Sequence, residues 1–218
     1  MPLPKAVDYH KPGRPRVPNG LGVFYVLASS IYLFLLAFFD FEGSLPMAST
    51  ILFGGFMGLL DDWMDLKWRY KAVLPLFASI PLAATRQGET AMSTYFFGRV
   101  DFGILYYFLI APLIVTITTN AVNQLGGLNG LESLPPLVIM AGFICVSPHG
   151  YLLYVPFLSL LALSIPNYLG KFFVGNVGSF SFGITLASFA VIANEEQFLA
   201  ISILPYVINS SLILLSFF

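Results

Sequence analysis

Apolar runs separated by short polar connections recur along the whole chain, and they constrain the fold more than any other feature. They fall at 20–39, 45–60, 72–85, 103–122, 131–147, 150–168, 178–193 and 197–218. A membrane helix needs about 20 mostly apolar residues, so the pattern predicts an all-α, polytopic transmembrane helical bundle of about eight spans. Pro75, Pro81, Pro112, Pro135 and Pro136 interrupt several runs. A bundle tolerates such breaks because neighbouring helices satisfy the freed backbone groups. Only 10% of the 218 residues are charged and 57% are hydrophobic. Soluble domains carry about 25% charged residues, so the deficit points to lipid as the solvent. No soluble domain, internal repeat or low-complexity tract interrupts the pattern, and 1–218 reads as a single transmembrane domain.

The formal net charge of −1 gives no sign of a nucleic-acid partner. The lone Cys145 excludes an intrachain disulfide and a cysteine metal cluster; it sits in the apolar run "VIMAGFICV", where plain packing is expected. The polar, proline-rich start "MPLPKAVDYHKPGRPRVPNG" does not read as a cleavable signal, since no small-residue cleavage site follows the first apolar run.

Eight spans put both termini on one side. The connections on that side carry Lys5, Lys11, Arg14, Arg16, Lys67, Arg69, Lys71 and Lys171, eight of the ten basic residues; Arg86 and Arg99 fall opposite. The positive-inside rule makes the first side cytoplasmic. Polar segments at 1–19, 61–71, 119–132 and 166–179 then share the cytoplasmic face. His10 and His149 fall on opposite sides. With no His or Cys cluster, zinc and Cys–His chemistry are not expected.

The stretch "GLLDDWMDLKWRYK" ends an apolar run on Asp61 and Asp62, with Asp65 following. Continued as a helix, it would stack Asp61 and Asp62 with Asp65 on one face. Such oxygen ligands suit Mg²⁺, which keeps waters and bridges substrate phosphates. A solvated cap, with Lys67, Arg69 and Lys71 anchored to anionic lipid, explains the same residues. In "TNAVNQLGGLNGLE", Asn120, Asn123 and Asn129 accompany Gly126, Gly127 and Gly130. Amide oxygens can ligate a hard cation, and exposed backbone N–H groups can hold an anion or a base edge. A C-cap plus an N-cap would account for only part of this set. In "PNYLGKFFVGNVGSFSFG", Gly175, Asn176, Gly178 and Ser179 lead into an apolar helix, a usual place for an anion. A turn with an N-cap fits equally well. Together these carboxylates, amides, cations and glycines suit a Mg²⁺-bound diphosphate beside a bilayer.

"HKPGRPRVPNGLG", "DDWMDLKWRYK", "NAVNQLGGLNGLE" and "FVGNVGS" resemble, in order, the motifs of the polyprenyl-phosphate N-acetylhexosamine-1-phosphate transferases. The eukaryotic-type and archaeal branch, which makes dolichyl-diphosphate GlcNAc from UDP-GlcNAc, is the nearer likeness; the bacterial peptidoglycan-precursor translocase is more distant. The resemblance implies catalytic roles for Asp61 and Asp62 near the reacting phosphates and for Lys71 on the diphosphate. It implies substrate-binding roles for Asn120 and Lys171, and contact with uracil for Gly127 and Asn129. It makes Asn123 and Asn176 the metal ligands, with Mg²⁺ as the cofactor and Mn²⁺ as the alternative ion. UDP-GlcNAc, polyprenyl or dolichyl phosphate and the bilayer are the implied partners, and a homodimer is compatible with the pattern. The implied location is the plasma membrane of an archaeon or the endoplasmic reticulum of a eukaryote.

Two departures accompany the resemblance. The family's FVGD aspartate is Asn176 here, which keeps a ligating oxygen and loses a charge. The family's first span and its C-terminal part, with Arg and His residues that grip the sugar nucleotide, have no counterpart in this sequence. The expected activity is Mg²⁺-dependent transfer of GlcNAc-1-phosphate from UDP-GlcNAc to the lipid phosphate, releasing UMP. Two alternatives stay open: a truncated or inactive relative acting as a membrane partner subunit, and a membrane prenyltransferase using the DDxxD pattern at Asp61–Asp65.

Overall fold

The computed structural model describes residues 4–9, 11–94 and 98–215. An N-terminal antiparallel hairpin, β1 (Lys5–Val7) with β2 (Arg16–Pro18), leads into α1 (Gly22–Phe38) and α2 (Ser44–Met64). After α3 (Trp68–Ala78) and α4 (Ile80–Ala84), a second hairpin pairs β3 (Ala91–Thr94) with β4 (Gly98–Asp101). A π-helical turn, Tyr106–Ile110, runs into α5 (Ala111–Asn123), followed by α6 (Leu134–Val146). A 3₁₀ turn, Gly150–Leu153, opens α7 (Tyr154–Tyr168); α8 (Gly175–Ala193), α9 (Glu196–Ser202) and α10 (Leu204–Leu215) follow. Both hairpins occupy stretches that the sequence pattern treats as plain connections.

Over the described residues, each expected apolar run lies on a helix or a broken helix pair, but fewer of them qualify as membrane spans. Ser44–Met64, Tyr106–Asn123, Gly150–Tyr168 and Gly175–Ala193 are four helices long and apolar enough to cross, and α9 with α10, bent by 53°, can make a fifth. Against the expected eight, Gly22–Phe38 and Leu134–Val146 are shorter apolar helices. The run at 72–85 is split between α3 and α4. Proline accounts for that split: Pro75 sits inside α3 and Pro81 in the first turn of α4, each lacking an N–H to continue the ladder.

α8 is the axis of the bundle. Every residue from Val177 to Ile192 is buried, and the helix packs against α1, α2, α5 and α6. In lipid, close packing replaces the hydrophobic drive between helices, which favours small residues at contacts. Gly22 shows this most tightly, since a Cβ there would fall 2.2 Å from the Gly178 Cα. A Cβ on Gly58 of α2 would fall 2.4 Å from the Asn176 carbonyl oxygen. These two contacts bring the ends of α1 and α2 against the start of α8.

A main-chain seam joins the hairpin to the connection before α8. The Phe173 N–H donates to the Pro18 carbonyl at 2.9 Å, and the Gly22 N–H donates to the Val174 carbonyl at 2.8 Å. The connections alternate between the two ends of the bundle. The first hairpin and the residues after α2, α5 and α7 meet at one end. Glu42, Arg86–Glu89, His149 and Asn194 line a second, smaller cleft, made by the intervening connections. His10 lies outside the described residues. Cys145 is exposed on α6 rather than packed.

Candidate functional site

The larger cleft, about 510 Å³, opens where the four motif segments converge. Asp62 and Lys71 reach it from α2 and α3, Asn123 from the end of α5, and Asn176 from the start of α8. Gly126, Gly127 and Glu132 line it from the second loop, while Tyr9 and Asn19 form a wall from the hairpin.

The three aspartates of the first motif do not stack. α2 ends at Met64, and Asp65 takes a left-handed conformation with φ of 47°, so the helical face that would align them is broken. Asp61 and Asp62 are neighbours on a helix, where successive residues point about 100° apart. Asp61 turns inward: it is 2% exposed and pairs with the Lys71 ammonium at 2.9 Å. Its Oδ1 also accepts the Leu66 N–H at 3.1 Å, and its Oδ2 is buried without a hydrogen-bond partner. Asp62 faces the cleft and α8 instead, accepting the backbone N–H of Asn176 at 2.9 Å and that of Val177 at 3.0 Å. The α8 N-terminus, a place expected for an anion, is therefore capped by a carboxylate of the protein itself. Asp65 is exposed and does not line the cleft.

In the second loop, Asn123 Oδ1 accepts the Ser179 hydroxyl at 2.7 Å, which ties the end of α5 to α8. Gly127 has a φ of +83°, with nothing within 4 Å of where its Cβ would lie. It presents bare backbone to the cleft. Three expected residues lie elsewhere. Asn120 donates to the carbonyls of Ala72, at 3.2 Å, and Thr116, at 3.0 Å, so it joins α5 to α3. Asn129 turns its amide to the buried Asp8 carboxylate at 3.0 Å. Lys171 is exposed and is not part of the cleft lining.

Three residues outside the expected set hold the cleft together. Asp8 is fully buried and, beside its bond to Asn129, approaches Lys11 at 3.8 Å; Lys11 in turn donates to the Gly170 carbonyl at 2.7 Å. Glu132 is 1% exposed. Burial pushes its carboxyl up to about 7, opposed by hydrogen bonds from the Gly127 and Val174 amides and from Asn167. Asn167 is fully buried. Its Oδ1 accepts the Gly130 N–H at 3.0 Å and the Ser133 hydroxyl at 2.9 Å. Its Nδ2 donates to the Phe172 carbonyl at 3.1 Å and to Glu132 at 3.4 Å. The signal for Glu132 was a carboxylate closing a glycine loop just before an apolar helix; Asn167 and Asp8 gave none that sequence could separate from ordinary polar residues.

Asp62, Asn123 and Asn176 form a set of hard oxygen donors on the cleft wall. Among the described residues, no group of three or more His, Cys, Asp or Glu could hold a metal, so they do not make a closed protein cage. One carboxylate and two amides fit an ion that keeps waters and shares substrate phosphates, which is the habit of Mg²⁺.

The family model for glycosyl transferase family 4 matches residues 44–194, a stretch that holds all of these donors. The chain belongs to glycosyl transferase family 4. Over 93% of its length it is 33% identical to a Saccharolobus solfataricus protein provisionally named UDP-N-acetylglucosamine–dolichyl-phosphate N-acetylglucosaminephosphotransferase, of which it covers 66%. It is 26% identical to the protein of that name from Dictyostelium discoideum, covering 63% of that relative. A phospho-N-acetylmuramoyl-pentapeptide-transferase of Streptococcus uberis is 28% identical, with 67% covered. The chain thus spans about two thirds of the length of these relatives.

Proposed function

We propose that the chain transfers GlcNAc-1-phosphate from UDP-GlcNAc to a polyprenyl phosphate, dolichyl phosphate in particular, releasing UMP. The observation that carries this reading is the convergence of Asp62, Lys71, Asn123, Gly127 and Asn176 on one cleft at one end of a membrane bundle. The names of the archaeal and Dictyostelium discoideum relatives supply the substrate pair. Eight of the ten basic residues lie at the cleft end, which supports a cytoplasmic orientation. That face suits a soluble sugar nucleotide meeting a lipid phosphate.

An oxygen of the lipid phosphate forms the new bond to the β-phosphorus. The bond from that phosphorus to the oxygen bridging the α-phosphate breaks, and UMP leaves with the electron pair. A phosphate monoester is largely dianionic at pH 7, so the attack requires no general base. Lys71, held in place by Asp61 at 2.9 Å, neutralises diphosphate charge as it develops. The bare backbone at Gly127 leaves room for a planar base, and the hairpin wall orients the nucleotide against it. Asp62, Asn123 and Asn176 would hold Mg²⁺, with Mn²⁺ as the alternative ion; when bound, the ion supplies further neutralisation of the diphosphate.

Isolated membranes given dolichyl phosphate and radiolabelled UDP-GlcNAc should form a chloroform-soluble product, and a chelator should abolish it. Label that stays wholly aqueous at matched protein level would sink the reading and favour the second one, an inactive partner subunit. Asn176 is the observation on that side, because it leaves the metal donors one charge short of the family pattern. The prenyltransferase alternative loses its basis, since Asp61, Asp62 and Asp65 have three different surroundings and no shared cation site.

A further inference from the structure

We infer that Asn167 is a positioning residue for the nucleotide side of the cleft, acting through the glycine loop that it holds from behind. It does not itself line the cleft; it lies behind the lining, fully buried at the end of α7, and reaches the cleft wall through its bond to Glu132. The loop it faces has three glycines, of which Gly127 and Gly130 both sit at φ of +83°. Such a segment has much conformational freedom to lose. Asn167 removes part of that freedom from both sides at once. It fixes Gly130 and Ser133 through one oxygen, and it bridges Glu132 to the Phe172 carbonyl through one nitrogen.

Only an amide of this length fits the pattern. Aspartate keeps the acceptor and loses both donors, placing a second charge against Glu132. Glutamine carries one methylene too many for a fully buried site. Glu132 lines the cleft and lies 3.5 Å from where a Gly126 Cβ would stand. The Asn167–Glu132 pair therefore couples the second and third motif loops. A loop ordered in advance does not have to be ordered when the nucleotide binds. Releasing it lowers the binding-competent fraction and raises the apparent dissociation constant in proportion. Turnover of the bound complex is largely unchanged, because binding restores the same arrangement.

The kinetic arm rests on the sugar-nucleotide reading of the cleft; the exchange arm does not. The full chain in nanodiscs containing dolichyl phosphate is compared with Asn167→Asp, Glu132→Gln and the double variant. Losing both buried donor bonds loosens the loop, so Asn167→Asp should raise the KM for UDP-GlcNAc about 10-fold or more while kcat stays within about threefold. The double variant reverses donor and acceptor, the amide introduced at position 132 donating to the carboxylate introduced at position 167. It should recover part of that rise. Hydrogen exchange over 124–133 should quicken in Asn167→Asp and slow again in the double variant. Should Asn167→Asp fail to fold, Ser133→Ala, which removes one bond to Asn167, should give a smaller KM increase and faster exchange in the same segment.

An unchanged KM in Asn167→Asp, an equal loss in kcat and KM without rescue, or unchanged loop exchange would overturn the positioning role. If the parent forms no product, the sugar-nucleotide reading fails, and exchange alone then decides the coupling. Quickening in the single variant with rescue in the double supports it, and the absence of either overturns it.

Discussion

The carboxylate of Asp62 accepts the backbone N–H groups of Asn176 and Val177 at once, at 2.9 and 3.0 Å. A residue of the first motif thereby caps the helix that carries the third. Asn176 adds a side-chain hydrogen bond to the same carboxylate, so the two residues form one unit at the cleft wall.

Asp62→Asn tests that unit. The amide leaves one backbone N–H facing a donor, which costs about 1 kcal/mol as a lost cap. Product formation should fall about 10²-fold or more, as expected when a charge at the reacting phosphates is removed. Membrane insertion should be intact and the melting temperature only a few degrees lower. Near-normal turnover at matched protein level would reduce Asp62 to a helix cap.

Lys71 and Asp61 should separate folding from catalysis. Lys71→Met leaves Asp61 buried and unpaired, with Oδ2 already lacking a partner. Breaking a buried pair costs about 3–5 kcal/mol, and the lower part of that range applies because the Lys71 side chain is 26% exposed. Adding Asp61→Asn should restore much of the stability in a denaturation series but none of the product formation. Recovery of both would place Lys71 outside the chemistry.

Glu132 gives the fold a pH dependence. Its carboxyl rises from 4.5 to about 7 on folding, so between those values the folded chain binds more protons than the unfolded one. Stability from this group is complete below pH 4.5, falls as pH rises through about 7, and then levels off; the total is on the order of 3 kcal/mol. Glu132→Gln should flatten the melting temperature between pH 5 and pH 8. A parent and variant with parallel pH profiles would rule out titration of Glu132 in that window.

Asn176→Asp should behave oppositely with and without Mg²⁺. Its amide now donates to Asp62, and a carboxylate would repel it instead. The variant should melt below the parent in chelator and gain more than the parent on adding Mg²⁺. The Mg²⁺ concentration for half-maximal rate should fall several-fold. Identical Mg²⁺ titrations of melting temperature would remove Asn176 from the ion site.

Much of the cleft was legible because its lining residues are anomalies in an apolar chain. Asp62, Lys71, Asn123, Gly127 and Asn176 interrupt hydrophobic runs at connections of the same parity, and alternation along the chain puts those connections at one end. The split between Asp61 and Asp62 was also implicit in helix geometry, but only the left-handed Asp65 shows that the three carboxylates cannot share a face. Asn120, Asn129 and Lys171 stand off the cleft lining for another reason: motif position fixes the backbone, while the side chain turns to whichever partner tertiary packing supplies. Asn120 found the Ala72 carbonyl, and Asn129 found Asp8. Asn167 and Asp8 were invisible because their roles depend on neighbours 34 and 121 residues away. The split of the run at 72–85 reflects Pro75 and Pro81, whose effect depends on whether the neighbouring helices let the segment continue.

The seam between 18–22 and 173–174 is written in backbone atoms, so apart from Gly20 and Gly22, where a side chain would be strained or without room, it reads chain length rather than side-chain identity. Conservative exchanges at Leu21 or Phe173 leave its bonds available. One inserted residue between Pro18 and Gly22 would force the Phe173 and Gly22 amides out of step. Drift in composition at Leu21 or Phe173 is cheap and drift in length is not, so this border of the cleft would keep its two glycines and its spacing while its other residues change.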